Sequence, residues 1–98
     1  MRSISFLFIY IVFAISTAHS QMGTLQVYVV DVEGGNATLF IGPTGESALI
    51  DTGNGGANAI RDAGRILDAA NDAGLMQIDH LITTHWHGDH FGGMAELA

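Results

Sequence analysis

The sequence predicts a mixed α/β domain that opens with an α+β-like run of strands. Three observations predict it. Short segments rich in β-branched and aromatic residues alternate with glycine turns between Leu25 and Ile50. A helical stripe then runs from Asn58 to Ala73, and an apolar segment follows from Ile78 to Thr84. Alternation of strand, helix and strand is the pattern of a parallel pair joined by a crossover helix.

Leu25 to Val32 has the composition of a strand. Gly34-Gly35-Asn36 is turn chemistry, and Ala37 to Ile41 reads as a second strand folded back on the first. Gly42-Pro43-Thr44-Gly45 makes another turn before a third strand, Ser47 to Ile50. The three form an antiparallel meander with Tyr28 and Phe40 packed on its faces. In the helix, Ile60, Ala63, Leu67 and Ala70 recur at three- and four-residue steps as the expected apolar stripe. Asn58 is placed to cap its start and Gly74 to stop it. Asp62 with Arg65, and Arg65 with Asp68, have the spacing of exposed ion pairs. Ile78 to Thr84 reads as a buried strand centred on Leu81-Ile82, with His80 given a packing or surface role.

The glycine-rich loop Asp51-Thr52-Gly53-Asn54-Gly55-Gly56 lacks both the Gly-Lys-Ser/Thr of a phosphate loop and the spacing of a dinucleotide site. Asp51 by itself is a turn residue whose carboxylate can take nearby backbone N–H groups. A parallel strand pair would open this loop and the one after Thr84 at the same sheet edge, where α/β sheets carry their sites.

That second loop, Thr83-Thr84-His85-Trp86-His87-Gly88-Asp89-His90-Phe91-Gly92-Gly93, holds four donor side chains in six positions. Side chains alternate along an extended chain, so His85 and His87 can face one cation, with Asp89 in reach. A turn at His90 would swing its ring toward a second cation. Imidazole and carboxylate donors without any thiolate suit a catalytic zinc with open positions, and iron or manganese fit the same donors. Trp86 is expected to bury its ring, with a pocket wall as the alternative, and Gly92-Gly93 to let the following helix approach closely.

His85-x-His87-x-Asp89-His90 resembles the signature of the metallo-β-lactamase superfamily of metallohydrolases, and Ile50-Asp51-Thr52-Gly53 resembles that superfamily's first motif. The order of the two motifs and the gap between them also match. The resemblance runs from about Leu25 to the end of the chain. It implies the N-terminal half of an αββα sandwich, with His85 and His87 on one metal and Asp89 and His90 on another. Two zinc ions per full-length domain are implied, and Asp51 becomes an acid beside the metals that orients ligands. Asp89, besides ligating, is the residue expected to orient water or shuttle a proton in catalysis. Asp31 to Ala37 resembles, with departures, a segment of the competence-protein branch.

The 98 residues suffice for one small domain, and nearly half are apolar. A net charge of −7 repels phosphate backbones and disfavours a nucleic-acid partner. The absence of cysteine excludes disulfide support. Arg2, the apolar run Phe6 to Ile15 and the small-x-small Ala18-His19-Ser20 have the layout of a secretory leader cut after Ser20. The apolar run is shorter than a membrane span. Expectations follow for residues 1–20 as a signal peptide of a secreted or periplasmic protein and for 21–98 as a truncated metallo-β-lactamase-like domain. Further ligands and the C-terminal half are expected beyond Ala98, the chain alone being inactive. The expected substrate is a small molecule, whether β-lactam, lactone, thioester or phosphodiester. A non-catalytic metal-binding module and a competence-type nuclease are the alternatives.

Overall fold

A computed structural model describes residues 23–98, so the expected leader lies outside the described residues. Strand β1 is Gln26–Val29, β2 is Thr38–Ile41 and β3 is Ser47–Ile50. A 3-10 turn at Gly56–Asn58 leads into helix α1, Ala59–Asp72. Strand β4, His80–Ile82, is followed by two single-turn helices, α2 at Gly88–Phe91 and α3 at Met94–Leu97. The sheet order is β1-β2-β3-β4. The first two pairings are antiparallel, and β3 with β4 is parallel, Ile50 opposite Ile82. The mixed α/β architecture predicted from the sequence is therefore present.

Alternation along the strands decides which face is covered. Leu39, Ile41 and Leu49 point toward α1 and are buried with Val32, Ala37, Ile66 and Ala70. On the opposite face Val27, Val29 and Ile82 are exposed, because no described element covers them. The end strands of the sequence reading are shorter than expected. Asp31 to Gly35 turns away from the sheet, and Asp79 leaves the ladder to accept bonds from Ser47 N (2.9 Å) and Ser47 Oγ (3.3 Å). Leu81 and Ile82 were expected at the centre of a buried strand, yet both are about half exposed. Strand β4 has a sheet neighbour on one side only among the described residues. Leu81 lines an open apolar groove with Leu67, Leu75, Met94 and Leu97. His80 lies at the surface as expected, 2.8 Å from Glu46 Oε1.

Helix α1 buries Ala63 and Ala70 of the predicted stripe but not Ile60 and Leu67. Ala59, Asp62, Ala63, Ile66 and Ala70 face the sheet, whereas Ile60 is 76% and Leu67 45% exposed. The register is set by a carboxylate. Asp62 Oδ2 accepts Asn54 N (2.8 Å) and Asn54 Nδ2 (3.0 Å), and Oδ1 accepts Arg61 Nε (2.7 Å). Burial pushes the Asp62 carboxyl up, but the bonds from Arg61 and Asn54 hold it below the ordinary carboxylate range. The expected Asp62–Arg65 surface pair is thus replaced. Arg65 reaches back to Asp31 O at 2.9 Å, and Glu33 pairs with both arginines. Asn58 occupies the N-cap position without a side-chain capping bond, and Gly74, at φ +76°, ends the helix as expected.

Asp62→Ala should destabilise the fold by about 3 kcal/mol, because it strands the Asn54 donors and leaves Arg61 without its buried partner. Leu67→Ala, on the exposed side, should cost less than about 1 kcal/mol. Urea unfolding of the two variants checks the order, and the reverse order would refute the assigned stripe.

Candidate metal centre

The parallel pairing of β3 and β4 brings two loops together. Asp51 N donates to Ile82 O at 2.8 Å, so the ladder ends with Asp51 beside the first residues of the histidine loop. His87 is extended (φ −91°, ψ 145°), and the chain then turns into α2, with His90 N and Phe91 N both bonded to His87 O. The extended half supplies His85 and His87, and the helical turn supplies Asp89 and His90.

His85, His87 and Asp89 each offer a ligand atom, and the three atoms lie within 4.8 Å of one another. The rings of His85 and His87 meet edge-on with centroids 4.7 Å apart. His90 stands outside that trio. Its ring lies 3.9 Å from that of His85, its Nδ1 is 2.8 Å from Asp51 Oδ2, and its Nε2 is 3.7 Å from Asp89 Oδ1. Two imidazoles and a carboxylate, partly open to solvent and free of thiolate, are donors that fit a catalytic divalent cation.

Asp51 is buried and sits in the left-handed region at φ +65°, which aspartate tolerates better than most residues. Its Oδ1 accepts Thr84 N at 2.8 Å. Its Oδ2 takes Thr84 Oγ1 at 2.7 Å, His90 Nδ1 at 2.8 Å and Asn36 Nδ2 at 3.0 Å. Burial alone would raise the carboxyl, but bonds from His90, Thr84 and Asn36 outweigh it and hold the group at about 2. This geometry has Asp51 orienting the histidine loop by hydrogen bonds.

Backbone contacts close the frame. Asn36 N donates to Asp89 O, Thr52 N to His90 O, and Gly92 N to Gly53 O. A Cβ on Gly92 would run into Gly55 and Asn54, and one on Gly93 into Thr52 O. The pair was expected to admit the next helix, and it admits the Asp51 to Gly56 loop as well. Trp86 was expected to bury its ring but is 73% exposed, with an edge contact to Phe91 at 5.4 Å. Alternation explains this, since the two histidines take one side of the extended segment and leave Trp86 the other.

Sequence reasoning did not single out Thr84 or Asn36. Thr84 is polar where an apolar strand ends, and Asn36 sits in a glycine turn; both are ordinary locally. Asp31 bonds Glu33 N at 3.1 Å and lies 3.7 Å from Arg65, which is turn and ion-pair chemistry.

The sequence profile of the metallo-beta-lactamase superfamily matches residues 30–98. Among curated relatives, the lactamase-like protein aptB of Emericella nidulans is 36% identical over 78 residues, covering 70% of this chain and 24% of that protein. An atrochrysone carboxyl ACP thioesterase of Cryptosporiopsis sp. is 36% identical over 63 residues, covering 64% of this chain and 18% of its own length. A metal-dependent hydrolase of Staphylococcus saprophyticus is 34% identical over 67 residues, covering 65% and 24%. The chain thus spans about a quarter or less of the length of these relatives. No solved structure matches the chain.

Asp51→Asn keeps the left-handed backbone but turns an NH2 toward groups that are themselves donors. Cation affinity should fall about 10–100-fold, measured by competition with a chromogenic chelator. The same carboxyl carries a pH signature in the metal-free protein. Its folded pKa is below the unfolded 3.8, so its stabilisation is complete above 3.8 and is lost as pH falls toward about 2. Urea midpoints of the parent should drop through that window more steeply than those of Asp51→Asn.

Proposed function

The chain belongs to the metallo-beta-lactamase superfamily, a family of metal-dependent hydrolases, and from that premise we propose that it forms a metal-binding part of an acyl-bond hydrolase. The observation that carries the proposal is the trio of donor atoms from His85, His87 and Asp89 within 4.8 Å. In this reading His85 and His87 hold one zinc ion. Asp89 and His90 contribute to a second, and ligands beyond this chain complete both. A bound divalent cation supplies Lewis acidity toward a carbonyl oxygen and acidifies water at neutral pH.

The remaining work falls to the chain's own residues. Asp89 is 42% exposed at its side chain and 3.7 Å from His90 Nε2, too far to bond it, so its carboxylate stays open to orient water or take a proton at the cluster. Asp51 holds His90 by Nδ1 and leaves Nε2 facing the cluster. Thioester or ester carbonyls are the proposed substrate class. A relative named as an acyl carrier protein thioesterase supports this, and the acidic charge of −7 argues against a polyanionic nucleic-acid substrate. The secretory layout of residues 1–20 supports export, with the leader removed after Ser20. Among the described residues no helix is long and apolar enough to cross a membrane.

The full-length protein, purified without chelator, should contain zinc by elemental analysis and hydrolyse acyl thioesters faster than lactams or phosphodiesters. His87→Ala should lose most of its metal and fall to the turnover of chelator-treated protein. Full metal content in His87→Ala would refute the ligand assignment. Retained metal without turnover on any of these substrates would instead favour a non-catalytic metal-binding module.

A further inference from the structure

The Thr84 hydroxyl lies between two groups of the centre. Its Oγ1 is 2.7 Å from Asp51 Oδ2 and 3.0 Å from His85 Nδ1. A hydroxyl has one proton to give. Asp51 takes amide donors on both oxygens, Thr84 N on Oδ1 and Asn36 Nδ2 on Oδ2, as an acceptor-only carboxylate does. The hydroxyl proton therefore goes to Asp51, and Oγ1 presents lone pairs to His85. Only a protonated Nδ1 can complete that second bond.

We propose that Thr84 is a positioning residue that fixes the neutral His85 ring as its Nδ1–H tautomer and leaves the Nε2 lone pair to face the donor cluster. His90 is fixed in the same sense by Asp51 directly, through Nδ1 at 2.8 Å. One carboxylate thus sets two imidazoles, one by contact and one through a hydroxyl. Tautomer control through the ring nitrogen not used for ligation is a general means of orienting a ligand histidine. The inference rests on reading His85 as a ligand, but the tautomer itself is measurable without any cation.

The test uses protein with 15N-labelled histidine, stripped of metal and held at alkaline pH, above the ordinary imidazole range. Long-range proton–nitrogen correlation should show His85 with a protonated Nδ1 and a bare Nε2. Thr84→Val removes the hydroxyl at nearly constant volume and should shift His85 toward the Nε2–H form that unrestrained imidazole prefers. Thr84→Ser should restore the parent pattern. Zinc affinity should fall about 10–100-fold in the valine variant and recover to within a few-fold in the serine variant. The backbone bond from Thr84 N to Asp51 survives in both, and unchanged amide resonances across Ala59–Asp72 confirm the fold. If Thr84→Val does not fold, the parent and Thr84→Ser spectra still decide. A parent His85 protonated at Nε2, or a valine variant with parent tautomer and affinity, overturns the proposal. The predicted tautomer in a protein that retains no zinc would overturn the metal reading alone and leave the role of Thr84 supported.

Discussion

The arrangement depends on one buried carboxylate. Asp51 is 1% exposed and carries strained backbone geometry, and its oxygens accept from three separate segments: the turn before β2, the end of β4 and helix α2. A buried charge with no partners would cost several kcal/mol, so the fold is stable only with those donors in place. That requirement ties the histidine loop to the sheet edge. The carboxylate therefore serves folding and site geometry through the same bonds, and the left-handed φ is tolerated because the surroundings leave it no alternative.

Asp62 plays the matching part on the other side of the glycine loop. It binds Asn54 by both backbone and side chain, so the loop that begins at Asp51 is held at its middle by helix α1. Two carboxylates, one from each end of the β3–α1 connection, thus hold the connection in shape. The absence of side chains on Gly92 and Gly93 allows α2 and α3 to approach this braced loop at backbone distance. The donor cluster is consequently carried on contacts between main-chain atoms, which are stiffer than side-chain packing. Stiffness of that kind keeps ligands near their productive geometry.

The apolar surface has an uneven distribution. The face of the sheet toward α1 is filled by Leu39, Leu49 and Ile66, while Val27, Val29 and Ile82 on the other face are open, and so is the groove beside Leu81. Trp86 adds a large exposed ring next to the donors. Apart from the buried Thr52 hydroxyl, which has no partner among the described residues, the polar groups of the site are bonded while the apolar faces are open, so the hydrogen-bonded frame around Asp51 specifies the local geometry more tightly than the hydrophobic core does.

Much of this was legible in the residues. Periodicity and turn chemistry marked all four strands and the long helix, with β3 matched at both ends, and the crossover implied the parallel pair that joins the two loops. The histidine motif marked His85, His87 and Asp89 as a group that the fold does bring together, because such spacing is a local property of an extended chain and the turn after it. Only tertiary structure could decide the buried face of α1, the exposure of Trp86 and of Leu81-Ile82, and the parts played by Thr84 and Asn36. Apolar counting placed Ile60 and Leu67 inward. The actual stripe contains Asp62, whose burial becomes favourable only when Asn54 and Arg61 supply its hydrogen bonds. A local pattern records what a side chain prefers in water, whereas the burial of a polar group depends on partners that meet only after the chain has folded.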